Sequence, residues 1–313
     1  MLRQVMTILD LVDRPDASGK LVAEQLRALA GPGATVEVET ISGERGSTDF
    51  VRVHIPGSHG RTAGGQAPTL GVIGRLGGLG ARPEMIGYVS DGDGATAALA
   101  TAAKLLEMHR RGDVLPGDVL VATHVCPDAP TRPHQPVPFM DSPVSLDAMN
   151  VHEVHPEMDA ILSIDTTKGN RIINHRGIAI SPTVRQGYVL KVAPALVDVL
   201  ERVTGEPAHV FPVTTQDITP YGNGVDHLNS ILQPAVAAQA PVVGVALTTI
   251  TAVAGCATGA SHEVDIALAA RFAVEVAKDF GAGRASFFDA HEAALLERLY
   301  GSMRHLQSPG TTL

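Results

Sequence analysis

Two short acidic motifs hold residue types that could do chemistry. Asp91 and Asp93 alternate with glycines just before an alanine-rich stretch. A carboxylate at a helix start caps the helix and complements its dipole without any function, but these two acids could also present oxygen ligands to a metal ion. Asp165 closes the apolar segment MDAILSID. It could be a simple turn residue, but its place at the end of a buried strand favours a ligand-facing edge.

A third motif, THVCPD, contains a histidine and a cysteine two positions apart. If the strand continues, the His124 and Cys126 side chains point to the same side. The pair could donate nitrogen and sulfur to zinc, or His124 could activate a Cys126 thiolate for nucleophilic catalysis. The alternative is a buried apolar cysteine beside a histidine that bonds to backbone. His134, His152 and His155 follow closely, which makes a metal site worth seeking.

A glycine-rich segment, GRLGGLG, follows an apolar strand at residues 74–80. Its spacing is not that of the G-x-G-x-x-G dinucleotide fingerprint, and Pro83 interrupts the helix that should follow. The segment is more typical of a close-packed turn whose backbone approaches a ligand or a neighbouring chain.

The last motif, GASHEVD, joins a small-residue loop to a long helical segment. Ser261, Glu263 and Asp265 are typical of a helix start. His262 could bind a metal ion or a substrate carboxylate, although a surface histidine beside a cap explains it equally simply.

Composition excludes several classes of protein. The 313 residues include 24 basic and 33 acidic side chains, a net charge of −9, with no basic cluster for a nucleic-acid backbone. No apolar run reaches the ~20 residues of a membrane helix, and the N-terminus lacks the pattern of a signal peptide. Only Cys126 and Cys256 occur, so a reducing, cytoplasmic setting is expected. Tryptophan is absent and aromatics are 4%, which predicts an aliphatic core.

Helical and strand-like periods alternate along the chain and must position these motifs. Helices are predicted within 1–30 and over 95–111, 189–205, 225–239 and 263–281; strands over 36–41, 49–55, 69–74, 117–125, 158–165, 172–180, 208–214 and 241–250. The proline-rich segment after Cys126 predicts a long loop. Continuous apolar strands alternating with helices predict an α/β fold with a mostly parallel or mixed central sheet, covered by helices on both faces. Ligands then bind at the carboxyl ends of the strands. No linker divides the chain, so one domain over 1–313 is expected.

Taken in order, these segments resemble the co-catalytic zinc exopeptidases, in particular the glutamyl and tetrahedral aminopeptidase group, whose architecture is phosphorylase/hydrolase-like. The resemblance covers most of the chain. ILDLVDRPDASGKLVAEQLRAL resembles the family's first two helices, and GDVLVATHVCPD its strand ending in paired glutamates. By this resemblance Asp93 corresponds to the aspartate that bridges two metals, Asp165 to a metal-binding acid and His262 to the final metal histidine.

The chain departs from that pattern at the metal ligands. Arg75 stands where the family has its first histidine, and Gly77 where it has the neighbouring aspartate. Cys126 and Pro127 stand where the family has a glutamate base and a glutamate ligand. There is no room between Arg75 and Asp93 for the family's inserted dimerisation domain. The chain also resembles a bacterial and archaeal family known only by a domain-of-unknown-function label.

Three functions follow as expectations. The first is a metal-dependent hydrolase of amide bonds in small peptides or amino-acid derivatives, using a divalent metal, most simply zinc, held by some of Asp93, His124, Cys126, Asp165 and His262. Asp91, Asp128 or Glu263 could serve as its base.

The second is a catalytically inactive protein of the same fold that binds small anionic ligands through Arg75 and the turn at Gly77 and Gly78. The third is an enzyme that depends on Cys126 activated by His124. A small-molecule or short-peptide ligand, no nucleic acid, no membrane and a homo-oligomer, the last by analogy alone, complete the expectations.

Overall fold

A computed structural model describes residues 1–75, 87–135, 138–252 and 260–310. Its α-helices, numbered along the chain, are α1 (Leu2–Val12), α2 (Gly19–Arg27), α3 (Asp93–Arg110), α4 (Leu146–Glu153), α5 (Pro194–Thr204), α6 (Pro234–Ala237), α7 (Glu263–Gly281) and α8 (Ala290–Tyr300). The strands are β1 (Thr35–Gly43), β2 (Gly46–Ile55), β3 (Leu70–Gly74), β4 (Val119–Val125), β5 (Thr131–Arg132), β6 (Phe139–Met140), β7 (Ala160–Thr166), β8 (Gly177–Ile180), β9 (Val184–Arg185), β10 (Tyr188–Val189) and β11 (Val242–Thr248).

The central sheet is mixed. Its strands lie in the order β1-β2-β4-β3-β7-β11-β9-β10, and β8 also pairs with β11. The four strands β4, β3, β7 and β11 run parallel to one another. On one side β2 is antiparallel to both β4 and β1, and on the other β8 and β9 are antiparallel to β11. The predicted α/β fold with a mixed sheet is confirmed.

Apolar side chains from both faces of the sheet are buried, which explains the continuous apolar strands in the sequence. Val72 and Leu162 belong to a large cluster with residues of α1, α2, α3, α5 and α7. Ile73 and Ile161 point to the opposite face and join a smaller cluster with residues of α6 and nearby turns. Long helices therefore cover one face, and short helices and turns cover the other.

Prolines explain two differences from the predicted helices. The segment predicted as one helix over 225–239 instead forms a single 3₁₀ turn, Ser230–Leu232, followed by α6. The helix predicted over 189–205 begins only at Pro194, and Val189, its first predicted residue, belongs to β10. Both helices carry proline in their first turn, where a ring that lacks an N–H favours a start over a continuation.

The irregular segments also differ from expectation. The proline-rich loop contains β5, which pairs with β6. The strand predicted over 172–180 is confined to β8, and the one over 208–214 is reduced to a bridge between Val210 and Ile180. Helices α4 and α8 were not predicted. Within the described ranges, no helix is both long and apolar enough to cross a membrane.

Candidate functional site

Buried polar side chains gather where parallel strands end. Arg75 directly follows β3, His124 and Asp165 lie near the ends of β4 and β7, and Asp93 begins α3. All four are buried. The backbone joins these elements directly, since the Arg75 N–H donates to the Ile164 carbonyl at 2.8 Å. Four of the candidate residues named from the sequence therefore lie at this edge of the sheet.

Asp93 lies at the centre of a hydrogen-bonded group. The Lys168 ammonium donates to Asp93 Oδ2 at 2.9 Å, and the hydroxyls of Ser261 and Tyr88 donate to Oδ1 at 2.5 and 3.1 Å. The Lys168 and Asp93 side chains are only 10% and 1% exposed. Burial raises the pKa of Asp93, and Lys168 and then Ser261 oppose that rise. The carboxyl that the sequence assigned to a metal ion is therefore already paired with a cation of the chain.

Asp165 and Asp91 are two further buried acids of the site. Asp165 accepts hydrogen bonds from Ser230 Oγ at 3.0 Å and from the Thr166 N–H at 2.7 Å. Burial nevertheless raises the pKa of Asp165 to about 6. Burial, followed by repulsion from Asp165 and Asp93, raises the pKa of Asp91 well above its usual value. Groups of this kind favour the uptake of a proton or of another cation.

Arg75, Glu153 and His124 form a buried network of hydrogen bonds. Arg75 Nη1 donates to Glu153 Oε2 at 2.6 Å and reaches Asn150 Oδ1 at 3.4 Å. His124 Nδ1 lies 2.8 Å from Glu153 Oε1, so the carboxylate accepts from both partners. Glu153 and Asn150 both come from α4. The Arg75 side chain is 0% exposed.

Cys126 and His124 have different surroundings. Cys126 packs with Val89, Ala129 and Met140, and its thiol donates to the Ser47 carbonyl at 3.4 Å. Burial, and next the nearby Asp128 carboxylate, raises the pKa of Cys126 to about 12. A nucleophilic cysteine needs the opposite shift, so this environment argues against the predicted thiolate role.

Of the remaining candidates, two are exposed and two lie outside the described residues. His262 and Glu263 are exposed at the start of α7, and the His262 charge acts on Asp265. Gly77 and Gly78 lie outside the described residues. Of the other histidines, His134 and His155 are exposed, and His155 lies 3.8 Å from a Glu157 oxygen. His152 is half-buried and lies 3.3 Å from a Glu39 oxygen.

The described residues do not fit the two-metal centre that the resemblance implies. In ranges 1–75, 87–135, 138–252 and 260–310, no three histidine, cysteine, aspartate or glutamate side chains are grouped closely enough to hold a metal ion. Lys168 pairs with Asp93, Glu153 pairs with His124, and the Cys126 thiol donates to the Ser47 carbonyl. Three of the donors named from the sequence, Asp93, His124 and Cys126, thus have partners within the protein.

Several residues of the site were missed at the sequence level. Lys168, Ser230 and Glu153 each bond to a site residue at least 65 positions away in the chain, so no local pattern relates them. Lys168 did carry one signal, since it follows Asp165 in the TTKG turn that leaves β7. Glu153 had none, because α4 was not predicted.

Comparison with known proteins gives the family but no function. The model of the family described as "Protein of unknown function (DUF1177)" matches residues 39–310, and the chain belongs to that family. No curated protein matches the sequence. Among solved structures, a tomato leucine aminopeptidase mutant is similar, with 12% identity and a TM-score of 0.49 over 87% of this chain and 61% of that chain. This chain therefore spans less than two thirds of that protein's length.

Proposed function

We propose that this protein binds a small polar ligand, of the size of an amino acid or a short peptide, at the carboxyl edge of the sheet without a metal ion. The observation that carries the proposal is the contact of 2.9 Å between Lys168 Nζ and Asp93 Oδ2. Lys168, with Arg75 near Asp165, supplies in fixed form the positive charge that the resemblance would assign to metal ions.

The balance of buried charge supports a ligand with a cationic group. Four acids, Asp91, Asp93, Asp165 and Glu153, are buried here together with two side-chain cations, Lys168 and Arg75. An unbalanced buried carboxylate is costly, and it either takes up a proton or attracts an opposite charge. The raised pKa values of Asp91 and Asp165 favour the uptake of a proton. The ammonium group of an amino acid or peptide would instead supply the opposite charge.

A thermal-shift experiment tests this proposal. Purified protein would be heated with amino acids, dipeptides and their C-terminal amides, with and without a chelator. We expect at least one ligand to raise the Tm, by an amount that corresponds to about 2.7 kcal/mol at a hundredfold excess over Kd, and to do so equally with chelator. Asp165→Asn should reduce the shift, and Asp113→Asn, which changes an exposed acid, should leave it unchanged.

A second candidate is a metal-dependent hydrolase of amide bonds in small peptides or amino-acid derivatives. It is favoured by the mutual repulsion of Asp91, Asp93 and Asp165, which a divalent cation would relieve, although Lys168 would have to leave Asp93. Cleavage of a dipeptide that chelator abolishes would establish this candidate and contradict the metal-free proposal. If no compound in the panel shifts the Tm or is cleaved, both are wrong.

A further inference from the structure

Within the described residues, the Arg75 guanidinium has hydrogen-bond partners at only one of its three nitrogens. Nη1 carries the contacts with Glu153 and Asn150. Nε and Nη2 are buried and have no hydrogen-bond partner in the part of the chain that the structure describes. Most buried polar groups in proteins are paired, and Arg75, with no exposed surface, departs from this rule at two adjacent donors.

The two free donors form one edge of the guanidinium. In the planar group, the Nε–H and one Nη2–H point in the same direction, whereas Nη1 belongs to the other side. Such an edge matches the two oxygens of a carboxylate, which can accept both hydrogen bonds at once. The contacts of Nη1 with Glu153 and Asn150 hold the plane of the group, so the free edge has a fixed orientation.

The positive charge of Arg75 acts on the candidate site. It lowers the pKa of Asp165 and of Tyr221, in both cases against a larger effect of burial. The Tyr221 residue is 42% exposed. The Asp165 oxygens are engaged with Ser230 and Thr166, which leaves the free edge of Arg75 for another acceptor.

We propose that the free edge of Arg75 binds a carboxylate of the ligand. The inference rests on the proposed function and gives its ligand a chemical class: a small carboxylate-bearing amino acid or peptide, whose ammonium is attracted by Asp91 and Asp165. A carboxylate suits this position better than a phosphate, because it brings one negative charge rather than nearly two close to Asp165 and Glu153.

Matched ligands test the carboxylate directly. The Kd of each amino acid or dipeptide that binds would be compared by calorimetry with the Kd of its C-terminal amide, which keeps the ammonium and the side chain. Inorganic phosphate would be added as a competitor. We expect the amide to bind at least about tenfold more weakly, because a bidentate charged pair is lost, and millimolar phosphate to compete poorly.

Two arginine variants test whether Arg75 causes the preference for an acid over its amide. Arg75→Lys keeps the charge but removes the free edge, so the preference for acid over amide should fall to about twofold or less. Arg52→Lys, at an arginine that pairs with Glu39 on the surface, should keep the full preference. If Arg75→Lys does not fold, the comparison of ligands on the wild-type protein still decides the proposal.

The outcomes separate this inference from the function on which it rests. Equal affinity for acids and amides, or an undiminished preference in folded Arg75→Lys, would overturn the role of Arg75 and leave ligand binding intact. Strong competition by phosphate would show a general anion site and overturn the assignment to carboxylates. Failure of the whole panel to bind would overturn both proposals.

Discussion

Asp165 is held in a position where its charge is unfavourable. It is buried at the end of a parallel strand, and its hydrogen bonds from Ser230 and Thr166 only partly offset the loss of water. Binding sites commonly retain charges of this kind at a cost in stability, because the cost is recovered when a ligand binds. The free energy of unfolding should therefore depend on whether the Asp165 carboxyl is protonated.

The stability of the protein should depend on pH through Asp165. Its pKa is raised from 3.8 to about 6, so the native state binds its proton more tightly than the unfolded chain. The stabilisation is complete below the unfolded pKa and is lost as pH rises through about 6. Relative to Asp165→Asn, the wild-type protein should lose about 2–3 kcal/mol between pH 4 and pH 7.5.

Urea unfolding of both proteins at the two pH values measures this difference. Acids remote from Asp165 titrate alike in both proteins, so their contributions cancel. The pKa of Asp91 is raised in part by repulsion from Asp165, so the coupling between these two acids belongs to the measured difference. Asparagine can still accept from Thr166 and bond to Ser230, which keeps the comparison close to one of charge alone. If the wild-type protein and Asp165→Asn differ in unfolding free energy by the same amount at pH 4 and pH 7.5, the pKa of Asp165 is not raised by folding.

Individual residues of the site differed in how far the sequence could predict them. Asp93 and Asp165 were found because each stands at a boundary between an apolar segment and a turn, and the carboxyl ends of parallel strands converge. Their partners Lys168 and Ser230 were missed, because contacts across 75 and 65 positions depend on the tertiary fold. The orientation of Arg75 inward, toward Glu153, was hidden for the same reason.

At the scale of elements, two glycines allow α3 to begin against the strand ends. A Cβ on Gly74 would lie 2.6 Å from the Gly94 carbonyl oxygen, and a Cβ on Gly94 only 2.5 Å from the Ile164 oxygen and 3.0 Å from the Arg75 oxygen. These neighbours are backbone atoms, which cannot move aside independently. The close approach places Asp93, the first residue of α3, within reach of Lys168.

Gly94→Ala should therefore destabilise the protein by about 1–3 kcal/mol through overpacking and weaken ligand binding. In an unobstructed helix the same change stabilises by up to about 1 kcal/mol, so the sign of the change in unfolding free energy is diagnostic. Gly71→Ala is the control, because its Cβ would first meet the flexible end of Met158, and it should cost less. A stabilised Gly94→Ala protein with normal binding would contradict this account.

Elements were predictable where their pattern was local. Helix α7 was predicted over its full span, and β3, β7 and β11 were located by their continuous apolar residues. The segment 225–239 failed because its apolar spacing resembles a helix, whereas Pro234 divides it into a turn and a single helical turn. Helix α4 is short and only weakly amphipathic, and it owes its position to Ser145, which caps it, and to the partners of Asn150 and Glu153.

At the scale of the whole molecule, the side-chain cations Lys168 and Arg75 lie beside acids that the resemblance assigns to metal ions. The sheet gathers the ends of β3, β4 and β7, and the segment after β7 returns Lys168 to the first residue of α3. Arg75 is held by α4 from the other side. The two cations thereby neutralise part of the negative charge of the buried acids at the carboxyl edge of the sheet. The negative charge that is left is proposed to attract the ligand.

Metal content tests this central claim most directly. The purified, untagged protein would be analysed by elemental mass spectrometry, before and after incubation with zinc, manganese and iron, alongside Asp93→Asn, Asp165→Asn and His262→Ala. We expect far less than one metal ion per chain in every sample, with ligand-induced Tm shifts intact in the metal-free wild type. Near-stoichiometric metal in the wild type that falls in these variants would contradict the account and establish a metal centre at this edge.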